Sequence, residues 1–503
     1  MARSGASRRN FLKLAGAGVA GTALSAAASS YARIAGANDR VGVGIVGFSD
    51  RFRNSLAPAF TKSAAEFNME FVALSDIWSR KRDEGAAFVG KLAGGRQIVL
   101  ARNNEELYEN KDVQALIIAT PDFQHASQGV EAVRTGRDAY IEKPLANTME
   151  DARALRAAVK GTDRVVAIGT QRRSSPTYQR IHDYIKSGVF GDLVSVELTY
   201  NVNQPARWRR PRLVSQLREA DTDWKRFIAG RPPESFDARK YVEFRLFWPF
   251  SSGIPDQWMV HRLDTVQWYS GLSRPRSVVA NGGIYHWHDG RKNWDTMTAV
   301  FDYGPIDEGA TGAAKGFQVL YTARMTNSAG GVREHYFSNG GMLDLEKGTV
   351  TATGGLTEEF AKEMDMKPNQ LAPISFPPPE TEAMIERAAS GERRSTATER
   401  SSGSGSGTTL SPALTEAAAA PDEDTAANMR DWMECVQARK RPNADIEAGY
   451  NHSVALCMTI AAMQTGQRVS FDDAKQEVVV GGPTGHTHPQ HGGSRLDPPS
   501  GRG

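Results

Sequence analysis

Between Val41 and Glu142 short apolar runs alternate with helix-compatible stretches, and few architectures accept that order. Val41-Gly-Val-Gly-Ile-Val-Gly47, Glu70-Phe-Val-Ala-Leu-Ser-Asp76, Ala115-Leu-Ile-Ile-Ala-Thr120 and Ala139-Tyr-Ile-Glu142 read as strands. Gln124 to Arg134 reads as a helix stopped by Gly136. Strand–helix alternation implies an α/β fold on a parallel, doubly wound sheet, covered by helices on both faces. The first strand and the turn after it carry part of a dinucleotide fingerprint, in which glycines let backbone approach a pyrophosphate resting on a helix N-terminus. Gly47 holds the first glycine position, followed by Phe48, but Ser49 stands at the second and Phe52 at the third, with Arg51 between them. A glycine ending any buried strand would look similar. Asp76 closes the second strand, where a carboxylate accepts hydrogen bonds from an adenosine ribose and repels a 2′-phosphate, favouring NAD over NADP. Arg80, Lys81 and Arg82 lie one turn later and act against that repulsion, and a plain helix N-cap is the alternative role for the aspartate.

The pattern changes near Val165. Runs at Val165 to Gly169, Leu193 to Tyr200, Ser277 to Ala280, Met297 to Tyr303 and Gly316 to Ala323 predict a second, α+β domain on a large, mostly antiparallel open sheet. The expected division is 37–160 for the Rossmann domain and 161–372 for the substrate and oligomerisation domain. Residues 373–424 are rich in Pro, Ser, Gly, Ala and charge, which predicts a mobile insertion. Order is expected again over 425–480, where Met429, Trp432, Met433 and Val436 share one helical face and Val454, Cys457, Met458 and Ala461 another. The tail 481–503 is Gly/Pro/His-rich; His486, His488 and His491 are read as part of a disordered tail in preference to a metal site, and no metal is expected.

At 503 residues, 40% of them apolar, the chain has material for two globular cores. Its formal charge of +3 is small and dispersed, which excludes the basic footprint of a nucleic-acid binder. Ser7-Arg8-Arg9-Asn10-Phe11-Leu12-Lys13, followed by a weakly apolar Ala/Gly-rich stretch, looks like a twin-arginine (Tat) signal within residues 1–36. That stretch is too short for a stable membrane span. The signal predicts a partner in the Tat translocase and a periplasmic or otherwise exported protein that crosses folded. Cys435 and Cys457 are read as buried free thiols in preference to a disulfide.

Thr120-Pro-Asp-Phe-Gln-His125 and Gly136-Arg-Asp-Ala-Tyr-Ile-Glu-Lys-Pro144, with Gln171-Arg-Arg173, His261-Arg-Leu-Asp264 and Cys435-Val-Gln-Ala-Arg-Lys-Arg-Pro442, resemble motifs of the Gfo/Idh/MocA family in order and spacing. The resemblance implies a nicotinamide cofactor held by Gly47, Phe48, Ser49, Arg51, Asp76, Thr120, Pro121, Asp122, His125, Glu142, Lys143 and Gln171. It gives Lys143 a place beside the nicotinamide and the substrate hydroxyl, and His261 the part of acid/base. The plainer readings are a surface salt bridge for the lysine and a structural histidine. The family's aspartate four residues before this histidine is replaced by Gln257, with Asp256 beside it as the candidate substitute. Arg172 and Trp208, with Lys143, Gln257 and His261, are expected on the substrate side, and Arg209 and Arg210 add cations there. Trp248, Tyr285, Trp287 and Trp294 add aromatic surface of undecided role.

These residues leave three readings: an exported NAD-dependent oxidoreductase of a sugar, polyol or related carbohydrate with a tightly held cofactor; a glycosidase that oxidises its sugar transiently, eliminates the aglycone and returns the hydride; and a carbohydrate-binding protein without catalysis. A homo-oligomer through the second sheet is expected in each case.

Overall fold

The computed structural model describes residues 40–204, 206–304, 315–377 and 422–481. The twin-arginine segment, residues 378–421 of the low-complexity stretch and the histidine-containing tail from 482 lie outside the described residues.

Six parallel strands, β1 (Val41–Val46), β2 (Met69–Ser75), β3 (Val99–Ala101), β4 (Ala115–Ile118), β5 (Asp138–Ile141) and β6 (Val166–Ile168), form the first sheet in the order β3-β2-β1-β4-β5-β6. The central strands are buried on both faces, so they read as near-continuous apolar runs. The order reverses between β1 and β4, and the crevice at such a switch point is where open α/β sheets bind ligands. β6 corrects one expectation. Val166–Ile168 pairs in parallel with β5 and belongs to this sheet, because a three-residue apolar run carries no mark of which sheet it completes.

After β1 the chain turns through a π-helical segment, Phe52–Leu56, into α1 (Ala57–Ala64). Ser49 Oγ accepts the N–H of Phe52 at 3.2 Å and so takes the capping role. Phe52 is fully buried beside Phe48 and Phe71, with ring centroids 6.1 and 5.7 Å away. A ring stands where the fingerprint has a glycine for close helix–strand packing, and the wider π turn gives it room.

The second sheet has ten strands. Its centre is β7 (Leu193–Asn201), paired in parallel with β10 (Phe317–Arg324) and antiparallel with β11 (Val332–Ser338); β9 (Thr296–Tyr303) and β8 (Ser277–Gly283) continue the β10 side. Alternate residues such as Val319, Tyr321 and Ala323 are buried, while Leu320 and Val194 stand exposed on the other face. Short strands extend both edges. One of them, Ile374–Ser375, pairs with Thr349–Thr351 inside the stretch that composition assigned to a mobile insertion. Two backbone-paired residues have no compositional signature.

Among the remaining helices, α2 (His125–Arg134) belongs to the first domain and α3 (Val260–Ser270) packs on β7 of the second sheet. The last two helices join the units. α4 (Glu423–Ala438) starts inside the predicted insertion, capped by the Asp422 carboxylate on the N–H of Thr425 at 2.8 Å, and buries Met429, Trp432 and Met433 against Phe60, Phe71 and Tyr140. α5 (Ile446–Thr465) is buried along most of its length, and a Cβ on Gly449 would come within 2.9 Å of Ile168. Cys435 in α4 and Cys457 in α5 are buried free thiols. Among the described residues no helix is long and apolar enough to cross a membrane, and no group of three or more His, Cys, Asp or Glu is placed to hold a metal ion.

Candidate functional site

A cleft of about 700 Å³ opens at the carboxyl ends of β1 and β4 and runs to α3 of the second domain. Its floor begins at Gly47, where φ is +88° and an added Cβ would sit 2.7 Å from Thr120 Cγ2, so glycine alone fits. In the first turn after Ser49 the N–H of Phe52 is taken by Ser49 Oγ and that of Arg53 by the Ser49 carbonyl, while those of Asp50 and Arg51 have no carbonyl four residues back inside the helix, the arrangement that receives phosphate. Asp76 stands beside them. Its Oδ2 accepts the N–H of Phe48 and its Oδ1 that of Trp78, both at 2.9 Å, which leaves each oxygen further acceptor capacity. Burial raises its pKa, against those two N–H groups and then Lys81 and Arg82. Arg80 and Lys81 are each paired with Glu84, at 2.8 and 2.7 Å, and Arg82 donates to the Asp76 carbonyl at 2.7 Å.

Thr120, Pro121, Asp122 and His125 line the next section, with Gln171 beyond. His125 braces the two signature segments, one ring nitrogen 2.7 Å from Pro144 O and the other 2.9 Å from Thr120 O. Glu142 is buried and accepts from Arg51 Nε at 2.8 Å and from the N–H of Lys143 at 3.2 Å. Burial alone lowers the Arg51 pKa, but Glu142 and Tyr140 reverse it and hold the guanidinium charged. Lys143 precedes a cis peptide to Pro144, and its Nζ donates to the carbonyls of Gln257 at 2.9 Å and Asp256 at 3.3 Å. Burial brings its pKa down to about 8; Asp122 and Glu142 act upward, Arg245 and Arg51 downward.

The segment after Lys143 is held from the far end of the chain. His452 Nε2 accepts the N–H of Leu145, and Ser453 Oγ that of Ala146, both at 3.2 Å. Behind them His452 Nδ1 lies 3.8 Å from Asp264, which pairs with Arg173 at 2.9 Å. Sequence reasoning missed this clamp, although the polar run Asn451-His452-Ser453 ahead of a largely apolar stretch of the helix is a usable signal.

On the substrate side His261 lines the cleft. Burial, followed by the charges of Lys143, Arg172, Arg51 and His452, lowers its pKa well below that of an ordinary histidine, so the ring is neutral near pH 7. Gln257 also lines the cleft and bridges, donating to Asp122 from Nε2 and accepting from Arg245 Nε at 2.8 Å. Asp256 does not reach the cleft. It is fully buried and accepts from Ser252 N at 2.7 Å and Ser251 Oγ at 3.1 Å, its pKa raised first by burial and then by Asp122. Asp122, unlike Asp256, lines the cleft, and Ser251 Oγ stands between the two carboxylates, 2.6 Å from Asp122 and 3.1 Å from Asp256.

Arg172 is likewise displaced from its expected place. Its guanidinium is bound at 2.8 Å to the fully buried Glu334, which it shares with Arg262, since that carboxylate needs countercharge. Trp208 lines the cleft, and Arg210 does so 3.6 Å from Asp50. Arg209 pairs with Glu243 and Asp289. Trp248, Tyr285, Trp287 and Trp294 do not line the cleft, whereas Arg207, Arg245 and Trp258, none of them expected as ligand-facing, do.

Residues 41–170 match the sequence profile of the Gfo/Idh/MocA oxidoreductase family, NAD-binding Rossmann fold. Oxidoreductase P35 of Formosa agariphila is 29% identical over 178 residues, 34% of this chain and 53% of that protein. A glycosyl hydrolase family 109 protein of Shewanella baltica is 27% identical over 212 residues, 38% of this chain and 45% of that protein. The aligned region thus spans about half the length of these curated relatives. Levoglucosan dehydrogenase in complex with NADH shares the fold, with a TM-score of 0.57 at 15% identity, over 86% of this chain and 99% of that one.

Proposed function

We propose that this chain is an NAD(H)-dependent oxidoreductase acting on a CH–OH group of a sugar, polyol or related carbohydrate, exported in folded form with its cofactor held. The observation that carries the reading is the convergence in one cleft of a dinucleotide cradle, a buried lysine and a neutral histidine. Gly47, the first-turn N–H groups and the spare acceptor sites of Asp76 fit a dinucleotide, and Arg80, Lys81 and Arg82, committed to Glu84 and the Asp76 carbonyl, favour NAD over NADP. When bound, the nicotinamide supplies the hydride acceptor. Lys143 donates a hydrogen bond to the substrate oxygen and stabilises its developing negative charge. His261, neutral at working pH, takes the hydroxyl proton at a ring nitrogen. The carbonyls of Gln257 and Asp256 hold the lysine in place. The similarity to levoglucosan dehydrogenase supports a carbohydrate substrate.

Mass spectrometry of small molecules released from protein purified with residues 1–36 intact tests this reading; NAD(H) is expected, and absence of both bound and added-cofactor binding refutes it. The similarity to a glycosyl hydrolase family 109 protein is compatible with a second chemistry at the same site, in which oxidation is followed by elimination and return of the hydride. Release of an aglycone with no net change in nicotinamide absorbance distinguishes it. Export rests on Arg8 and Arg9: replacing both with lysine should leave folded, loaded precursor in the cytoplasm, and unchanged export removes the Tat assignment. The outer face of the ten-stranded sheet, where Val194 and Leu320 are exposed, supports a homo-oligomer, which sedimentation analysis checks.

A further inference from the structure

Most arginines around the second domain's end of the cleft are matched by carboxylates. Arg172 and Arg262 share Glu334, Arg209 and Arg239 share Glu243, and Arg291 pairs with Asp289. Arg207 and Arg245 break the rule. Both line the cleft and neither forms an ion pair among the described residues. Arg207 lies over the rings of Trp208 and Trp258, 5.7 and 5.9 Å from their centroids, and its buried Nε has no hydrogen-bond partner. Arg245 gives its Nε to a neutral acceptor, Gln257 Oε1, and its terminal nitrogens make no hydrogen bond within the described chain.

Two neighbouring cations that lack an acid are an expensive arrangement in a partly desolvated wall. Burial, together with Arg245 and Arg210, lowers the Arg207 pKa. Backbone conformation is also committed to this placement, because Ala206 and Trp208, on either side of Arg207, hold φ values of +53° and +65° that L side chains rarely adopt. The planar guanidinium fork suits an oxyanion with two or more oxygens. The cofactor's pyrophosphate is served by the first turn after Gly47, whereas Arg245 sits with Gln257 and is felt electrostatically by Lys143.

We propose that the substrate is an anionic sugar whose carboxylate or phosphate is received by Arg207 and Arg245, with the sugar ring against the Trp208–Trp258 wall. The inference rests on the carbohydrate reading above and specifies its substrate class.

The test uses the full chain without added nicotinamide and follows tryptophan fluorescence during titration with hexuronates, hexose 6-phosphates and the matching neutral hexoses. At least one anionic series should bind tenfold or more tightly than its neutral counterpart, and which series does so separates carboxylate from phosphate. Arg207→Gln with Arg245→Gln should erase the difference, while Arg207→Lys, which keeps the charge and protects against a folding artefact, should retain part of it. NADH affinity, measured in parallel, should stay within about twofold in all variants. Equal binding of neutral and anionic sugars, an unchanged preference in the double variant, or a loss of NADH affinity with the preference intact would each overturn the proposal. Failure of the wild type to bind NADH while preferring anionic sugars would count against the oxidoreductase reading and support the anion site.

Discussion

Lys143→Met separates what the lysine costs the fold from what it gives the reaction. Its pKa falls from 10.5 to about 8, chiefly through burial, so the folded protein binds this proton less readily than the unfolded chain does. At pH 7 both forms are charged, and the difference amounts to a folding penalty of about 3 kcal/mol at 1.36 kcal/mol per pH unit. Between pH 8 and 10.5 the unfolded chain keeps a proton that the folded chain has released, so stability from this group rises with pH and the penalty disappears above 10.5. Methionine carries no penalty at any pH but withdraws a donor from the carbonyls of Gln257 and Asp256, a loss of roughly 1 kcal/mol each. Lys143→Met should therefore be about 1 kcal/mol more stable than wild type at pH 7 and about 2 kcal/mol less stable near pH 10.5. Urea unfolding of both proteins across this range measures the crossing. Turnover should fall on the order of 10²–10³-fold, as with removal of one oxyanion donor. Stability profiles that run parallel, or a variant that keeps its turnover, would refute the reasoning.

In wild type, activity in the oxidation direction should decline as pH rises through about 8, where the ammonium is lost, while the limb due to His261 should lie well below pH 6.5. A pH–rate profile of kcat/KM checks both limbs. Asp76→Ala should weaken NAD more than NADP, measured by quenching of intrinsic fluorescence, and equal losses would mean that another residue reads the ribose. Ser453→Ala leaves the buried N–H of Ala146 without its acceptor and should cost about 1–3 kcal/mol. Because that N–H lies three residues after Lys143, kcat should drop with KM little changed, whereas a purely structural role would lower the midpoint of unfolding and leave kcat per folded molecule intact.

Strands β1, β2, β4 and β5 of the parallel sheet and its dinucleotide edge were legible because both depend on local order: apolar runs of strand length, a glycine at the end of β1, a carboxylate at the end of β2. Lys143 and His261 were legible through motifs whose spacing survives in this chain, and both line the cleft. What the sequence could not assign is how long polar side chains are shared out. Arg172, Arg209 and Asp256 sit beside residues that face the cleft, yet each is drawn away by a partner distant in the chain or turned inward by the helical geometry around it, to Glu334, to Glu243 and to the Ser251–Ser252 pair. Arg207 and Arg245, indistinguishable from them by composition, are the ones left facing the cavity. The same holds for β6, which joins whichever sheet offers an open edge, and for His452 and Ser453, whose acceptors meet Leu145 and Ala146 across 307 residues. Period and turn chemistry act within a few residues and are written in one dimension; the pairing of charges and backbone donors is a competition among all groups that folding brings within about 3 Å, and only the packed structure decides it.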